Sequence, residues 1–393
     1  MATVLPNTIA IDADSVLFAK AETTYGTEIK VTTADQCLIL TGGQITQDRG
    51  YLNDEQLRNT LSRLNQIAGR FEPGSAQFGF YIKPSGALGT PPECATLLKA
   101  ALGRETITAS TKVEYFLDRL IDTLPALTMW FRIGHTVYRA IGSVCEQVTF
   151  PLKADNSQEA VGQAQVQFRF AEMRWTGTDE MAATAATSAT TLTVKDAKKF
   201  TLGGYIKIAA NDNGGVGYNI TAINYGSNIL TISPGLTAGV AIDDLVAPWM
   251  PTGTSSGTIV HGRLGLATRG ATNLPVLSST ITLNRPLLLP TDEKNGLDYP
   301  NRFLRSDKRD VTIAVELLND ANTTSYLYES LQQTRGDITM PCGSVAATRF
   351  KVLAKNVEVS PPQIGGQPQK VVTLNGKAFA SASFDDEISL LFD

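Results

Sequence analysis

From residue 163 to residue 170 apolar and polar side chains alternate without a break, with Ala164, Val166, Phe168 and Phe170 set between Gln163, Gln165, Gln167 and Arg169. Side chains two apart on a strand share a face, so this pattern predicts a strand with one dry side and one wet side. Related patterns predict strands at Val16–Lys20, Cys37–Thr46, Ala76–Lys83, Leu127–Ile133, Thr136–Ile141 and Val144–Phe150, with Gly134-His135 as the tight turn of a hairpin. Val311, Ile313, Val315 and Leu317 mark another, and more are expected at Ser279–Asn284, Arg349–Val359, Lys370–Ser381 and Ile388–Phe392.

A helical period appears in two places. At the first, Thr90 and Glu93 have capping-box spacing, Pro91 suits the first helical position, and Cys94, Leu97, Leu98 and Ala101 form a stripe before Gly103. The second runs from Asn322 to Arg335, with Leu327 and Leu331 on one face and Gly336 as its stop. The expected class is therefore mainly β, with one or two short helices packed on the sheets.

The pattern changes at Gly177. Met181–Thr193 is almost entirely Ala, Thr and Ser, and short strand candidates follow at Leu192–Lys195, Gly204–Ala209, Tyr218–Ile223, Ile229–Ser233 and Ile242–Val246. Turns fall at Asn213-Gly214-Gly215 and Gly226-Ser227, and Pro248, Pro251 and a Gly/Thr/Ser run to Thr258 read as a linker. Strands of the earlier style then resume. The expected organisation is a discontinuous β domain, 1–176 and 261–393, interrupted by a small all-β domain at 177–260 that carries 6 acidic and 4 basic residues.

Charge narrows the function classes. Only 18% of the 393 residues are charged, against about 25% in ordinary globular domains. Lys+Arg 34 against Asp+Glu 38 gives a net charge of -4, which disfavours holding nucleic acid through a basic surface. Cys37, Cys94, Cys145 and Cys342 are far apart in sequence and read as buried apolar side chains. With His135 and His261 as the only histidines, a multi-histidine metal site is excluded. Gly253-Thr254-Ser255-Ser256-Gly257 spells G-x-S-x-G, but it lies in the linker and not between a strand and a helix, where a nucleophile elbow requires it. No phosphate loop or dinucleotide fingerprint occurs, so no cofactor is expected. No segment approaches the roughly 20 apolar residues that cross a bilayer, so no membrane partner is expected.

The segment Gln47–Glu72 is a long connection between two strands. Asp48, Asp54, Glu55 and Glu72 balance Arg49, Arg58, Arg63 and Arg70, and Leu61 lies in a stretch around Leu57–Ile67 that could form a short helix. Loops of this length are usually functional or disordered, and balanced charge suits docking to another copy, where each acid finds an arginine. An ordinary solvated connection is the alternative.

The order of these features resembles the major tail tube protein of bacteriophages with long, non-contractile tails. The residues that carry the resemblance are Val16–Thr27, the strand, long loop and strand from Cys37 to Lys83, the Pro-led helix Pro91–Leu102, the hairpin-rich Leu127–Trp175 and the closing Phe384–Phe392. It covers about residues 10–176 and 260–393 as a pattern, without a diagnostic motif. The resemblance implies a tail-tube-like β-sandwich or barrel, hexameric rings stacked into a tube for genome delivery, and no enzyme activity. It implies a virion protein made in the host cytoplasm, with the tape measure protein inside the tube, tail terminator and distal tail proteins at its ends, and double-stranded DNA passing without specific binding.

On this reading Asp48, Arg49, Asp54, Glu55, Arg58, Leu61, Arg63 and Arg70 are the inter-ring contact candidates, because the family's long loop makes that contact. The inserted domain belongs on the tube exterior, since a lumen must stay open. A conduit that bound phosphate would trap the genome, so carboxylates and amides are expected in the lumen, with Glu146, Gln163, Gln165 and Gln167 as candidates. The same four residues could instead face solvent on an outer sheet. The rival classes are another β-rich virion protein, such as a capsid or decoration subunit, and a glycan-acting β-rich enzyme, for which paired carboxylates would be wanted.

Overall fold

The computed structural model describes residues 15–393, apart from 41, 54–65, 118–123, 158–159, 254, 291–295, 306–307, 322, 367–369 and 383–384. The first elements are β1 (Val16–Ala21), β2 (Gln36–Cys37), β3 (Gln44–Thr46), β4 (Arg49–Asn53), β5 (Gln66–Phe71), β6 (Gly74–Tyr81), α1 (Ala95–Leu102), β7 (Gly103–Thr108) and β8 (Lys112–Leu117). Next come β9 (Leu127–Ile133), β10 (Thr136–Lys153), β11 (Gln163–Phe170) and β12 (Glu172–Thr176). The strands β13 (Asp179–Glu180), β14 (Thr191–Thr193), β15 (Tyr205–Ile208), β16 (Tyr218–Asn224), β17 (Ile229–Ser233) and β18 (Leu245–Pro248) follow. The last part holds β19 (Thr268–Arg269), β20 (Thr272–Asn273), β21 (Val276–Asn284), β22 (Leu287–Leu288), β23 (Leu304–Arg305), β24 (Asp310–Leu318), α2 (Thr323–Leu331), β25 (Arg335–Cys342), β26 (Phe350–Val359), β27 (Gln363–Gly365), β28 (Val371–Ala378) and β29 (Ile388–Phe392).

The main body is antiparallel and has two layers. In the first, β1 pairs with β2 and β9, β9 turns through Gly134-His135 into β10, and β10 pairs with β12 from Val137 to Ile141. The rest of β10 belongs to the second layer, which runs in the order β3, β6, β11, β10, β21, β24, β28. That sheet continues through β26, β29, β8 and β7, and together with the first layer it makes a closed barrel. Residues 136–141 and 144–150, expected as two strands, are thus one strand of 18 residues. Gly142 reads as a break in sequence, yet at φ +68 it forms a bulge that lets the chain change layers without stopping.

One core fills the space between the layers. Leu17, Ala19, Met129 and Phe131 from the first meet Phe78, Phe80, Val166 and Phe168 from the second, together with Leu97, Leu98, Ala101 and Leu102 of α1. All four cysteines are buried free thiols, and burial pushes Cys145 and Cys342 up to about 12.

Two helix expectations need correction. The capping box at Thr90 and Glu93 is not formed: α1 begins after Cys94, which makes no side-chain cap, because the Glu93 carboxylate is taken by Lys83 Nζ, 3.2 Å away, and the Ser256 N–H. The second helix stops at Leu331, since Arg335 and Gly336 are already in β25, where Arg335 pairs across the strands with Glu358. Its buried residue is Tyr326, while Leu327 and Leu331 are exposed. The segment 37–46 is likewise two short strands around a single bridge from Ile39 to Phe80.

Residues 179–248 form a separate six-stranded sheet in the order β13-β18-β15-β16-β17-β14. It has its own core of Leu192, Val194, Phe200, Ile206, Ile208, Tyr218, Ile220, Leu230, Ile232 and Val246.

Candidate functional site

The outer face of the second layer is built by period-two alternation over six adjacent strands. Inward go Phe78, Phe80, Val166, Phe168, Val148, Phe150, Ile281, Leu283, Ile313, Val315, Val372 and Leu374. The residues between them must face out, and the register sets them in rows. One row reads Gly79, Gln165, Thr149, Thr282, Thr312, Lys377, and its neighbour reads Gln77, Gln167, Gln147, Asn284, Asp310. The Thr149 and Thr282 hydroxyls lie 3.1 Å apart, as cross-strand partners on one face should.

This carpet of amides and hydroxyls also carries charges, and its cations Arg169 and Lys377 are paired. Arg169 Nε donates to Glu146 at 3.0 Å, and Gln167 Nε2 donates to the same carboxylate at 3.1 Å. Lys377 lies 2.9 Å from Asp310, and the Ser278 hydroxyl donates to Glu316. Of the four residues singled out from sequence, Gln165 is exposed, Gln167 and Glu146 are half-buried, and Gln163 is buried at 5%. Glu146 joins the others because a bulge between Cys145 and Gln147 swings it toward Gln167 and Arg169.

The Gln47–Glu72 excursion begins and ends as a two-stranded ribbon of β4 and β5, which replaces the expected helix at Gln66 and Ile67. Gln47 anchors its base by donating to Glu72 O at 3.0 Å and Ala171 O at 2.9 Å and accepting from Met173 N–H. Arg49 is spent within the ribbon, donating to Gly69 O at 2.8 Å with its guanidinium 4.8 Å from the Phe71 ring centre. Asp48 is exposed and Arg70 is half-buried on β5. Asp54, Glu55, Arg58, Leu61 and Arg63 lie outside the described residues. What the ribbon does present is apolar: Tyr51, Leu52 and Ile67 are 58%, 64% and 61% exposed, and Leu52 and Ile67 are direct cross-strand partners.

The outer face of the first layer is covered by the six-stranded module and by Trp249 and Met250, which follow it. Phe18, Val31, Trp130 and Val137 pack with Trp249, and Val16, Tyr205 and Met250 border them. At the centre of this junction Arg139, 1% exposed, donates from Nη1 to both Glu28 oxygens at 2.7 and 2.8 Å and from Nη2 to Thr201 Oγ1 and Leu202 O. Burial pulls the Arg139 guanidinium below its usual pKa, and Glu28 opposes that pull. Arg174 reaches Glu28 at 3.5 Å and Glu172 at 2.8 Å. Because the core lies between the layers, the module and the polar carpet occupy opposite sides of the main body.

Sequence reasoning missed Arg139, Glu28 and the hydroxyl rows of β21 and β24. The rows were signalled by Ser278, Thr280, Thr282 and Asn284 in alternation, whereas no local pattern announces an ion pair 111 residues apart. Ser255 of the G-x-S-x-G segment is exposed and meets Lys83 Nζ at 2.9 Å and Glu93 at 3.3 Å, while His261 Nδ1 accepts from Arg263 N–H. Lys83 is held by the Glu93 carboxylate at 3.2 Å, so this trio fastens the linker to the start of α1. Among the described residues no group of three or more His, Cys, Asp or Glu side chains could hold a metal ion. A sequence model described as "Phage tail tube protein" matches residues 12–385. No curated protein matches the chain.

Proposed function

We propose that this chain, which belongs to the phage tail tube protein family, closes into hexameric rings that stack into a conduit for double-stranded DNA, with the polar carpet as its lumen. Membership makes it a structural protein of the virion tail. The observation that carries the finer reading is the carpet itself, a broad face of Gln, Asn, Thr and Ser on which Arg169 and Lys377 are neutralised by Glu146 and Asp310. Duplex DNA carries one negative charge per roughly 1.7 Å of axis, so cations without partners along a lumen would retain it. Amides and hydroxyls leave it free to slide.

The other surfaces fall into place around that orientation. With the carpet inward, the module at 177–260 lies on the tube exterior, and the apolar ribbon of β4 and β5 is the ring-to-ring contact. The tape measure protein would fill the lumen before DNA, and tail terminator and distal tail proteins would close the two ends. Negative-stain microscopy of purified protein should show tubes of constant diameter with six-fold end views. In phage carrying Gln165→Lys and Thr312→Lys, tubes should form normally, while DNA release, followed with a DNA-binding dye, should slow and become more salt-dependent. Release at the wild-type rate at every salt concentration would refute the lumen assignment.

A further inference from the structure

A cleft of about 1010 Å³ opens between the module and the first layer, lined by Phe18, Lys30, Arg132, Lys207, Asp212 and Trp249 among others. Its charge is unusual for this molecule. Elsewhere cations pair with carboxylates at Arg139–Glu28, Lys199–Asp179, Arg269–Glu329, Arg309–Glu387 and Lys351–Asp393. Lys30, Arg132 and Lys207 have no carboxylate partner among the described residues. Lys30 lies 4.4 Å over the Tyr205 ring and 4.7 Å over Trp249 and donates to Val216 O, and Arg132 Nε donates to Gly134 O. Lys207 is exposed. Three cations therefore face one cleft in which Asp212 is the single carboxylate among the described lining residues.

We propose that this cleft binds an acidic polysaccharide, with Lys30, Arg132 and Lys207 meeting its carboxylate or phosphate groups and Asp212 and Thr33 meeting its hydroxyls. Spaced cations around an aromatic and hydroxyl-bearing floor match a chain that alternates anionic groups with hydroxyls. An acidic peptide is disfavoured by the strands that line the cleft. β1, β9, β15 and β18 each have a neighbour on both sides over part of their length, so at the cleft only short stretches of edge, such as Ala247–Pro248, are left for main-chain hydrogen bonds to an added strand. Access to such a polymer on a cell surface rests on the exterior placement of the module, whereas the binding site itself does not.

Titration calorimetry on the purified full chain tests it, with oligogalacturonate as probe and a neutral malto-oligosaccharide, poly-glutamate and oligothymidine as comparisons. Oligogalacturonate should bind saturably, more weakly as salt rises, and about tenfold more weakly to the Arg132→Gln/Lys207→Gln protein, whose thermal midpoint should be unchanged because both side chains are exposed. Lys198→Gln, on the module but outside the cleft, should bind as wild type. Absence of saturable binding, equal or tighter binding of any comparison polymer, or unaltered affinity in the double variant would overturn the proposal. Binding by free subunits that vanishes in assembled tubes would leave the site standing and reject the exterior placement instead.

Discussion

Replacing Glu28 with Gln should destabilise the subunit more than removing the arginine that Glu28 serves. Arg139 is 1% exposed and the Glu28 side chain 13%, with both carboxylate oxygens within 2.8 Å of one guanidinium nitrogen. In Glu28→Gln the geometry survives, but two guanidinium groups, Arg139 and Arg174, then share a neutral partner. Stranding a buried charge costs about 3–5 kcal/mol. Arg139 keeps Thr201 Oγ1 and Leu202 O, which places the expected loss near the lower end, about 3 kcal/mol. In Arg139→Met the buried charge itself is gone and Glu28 retains Arg174, so the expected loss is about 1 kcal/mol, mainly from acceptors left without a donor. Urea unfolding followed by tryptophan fluorescence is the assay, because Trp130 and Trp249 lie in the junction. A Glu28→Gln loss below about 0.5 kcal/mol, or an Arg139→Met loss exceeding that of Glu28→Gln, would refute the reasoning that water-excluded charge dominates this junction.

Leu52→Ser with Ile67→Ser should leave subunit stability unchanged and slow tube elongation sharply, since each residue, partly exposed in the subunit, stands to contribute about 1–2 kcal/mol when covered and a ring repeats the contact; wild-type elongation by light scattering would show the ribbon is solvated in the tube. Exchanging residues 179–248 for a short Gly/Ser bridge should preserve tube formation by microscopy but, by taking Tyr205 away from Trp130 and Trp249, make the subunit bind a hydrophobic dye. Loss of tubes with an intact core by circular dichroism would count against a dispensable module. Burial pushes the Asp337 and Asp393 carboxyls up, but hydrogen bonds from Lys355 and the Asn356 N–H, and from Arg349 and Lys351, outweigh it and hold both below the usual 3.8. The folded state thus binds protons less tightly than the unfolded chain, so their stabilisation is present above that value and is lost as pH falls from it through the lower folded-state values. The Asp337→Asn/Asp393→Asn protein should therefore show a flatter thermal midpoint between about pH 5 and pH 2, and an unchanged slope would contradict it.

The fold was legible where burial is one-sided. Strands β17 and β29 lie at the residues their alternation predicts, because every second side chain of each is buried in a core. The hairpin of β7 and β8 was missed: its first strand, Gly103–Thr108, shows the burial pattern of an edge with little dry face, and Gly103 doubles as the end of α1. Long-range decisions were not legible at all. Nothing in Thr90-Pro91-Pro92-Glu93 says that Ser256, 163 residues on, will claim the carboxylate meant for a cap. Candidate lumen residues could be named from alternation alone, but which of them presents surface depends on neighbours, and Gln163 is covered where Gln165 is not.

Strand β10 ties the two sides of the subunit into one mechanical element. It runs from Arg139, clamped under the module, through the Gly142 bulge to Gln147 and Thr149 on the carpet. Its 18 residues, at about 3.3 Å each, span roughly 60 Å of continuous backbone. Neighbours on both edges along most of that length mean that a pull on the module loads many ladder hydrogen bonds together in shear rather than peeling them one at a time. The module and the carpet consequently share a single rib, and a force applied to the module is borne by the main body as a whole.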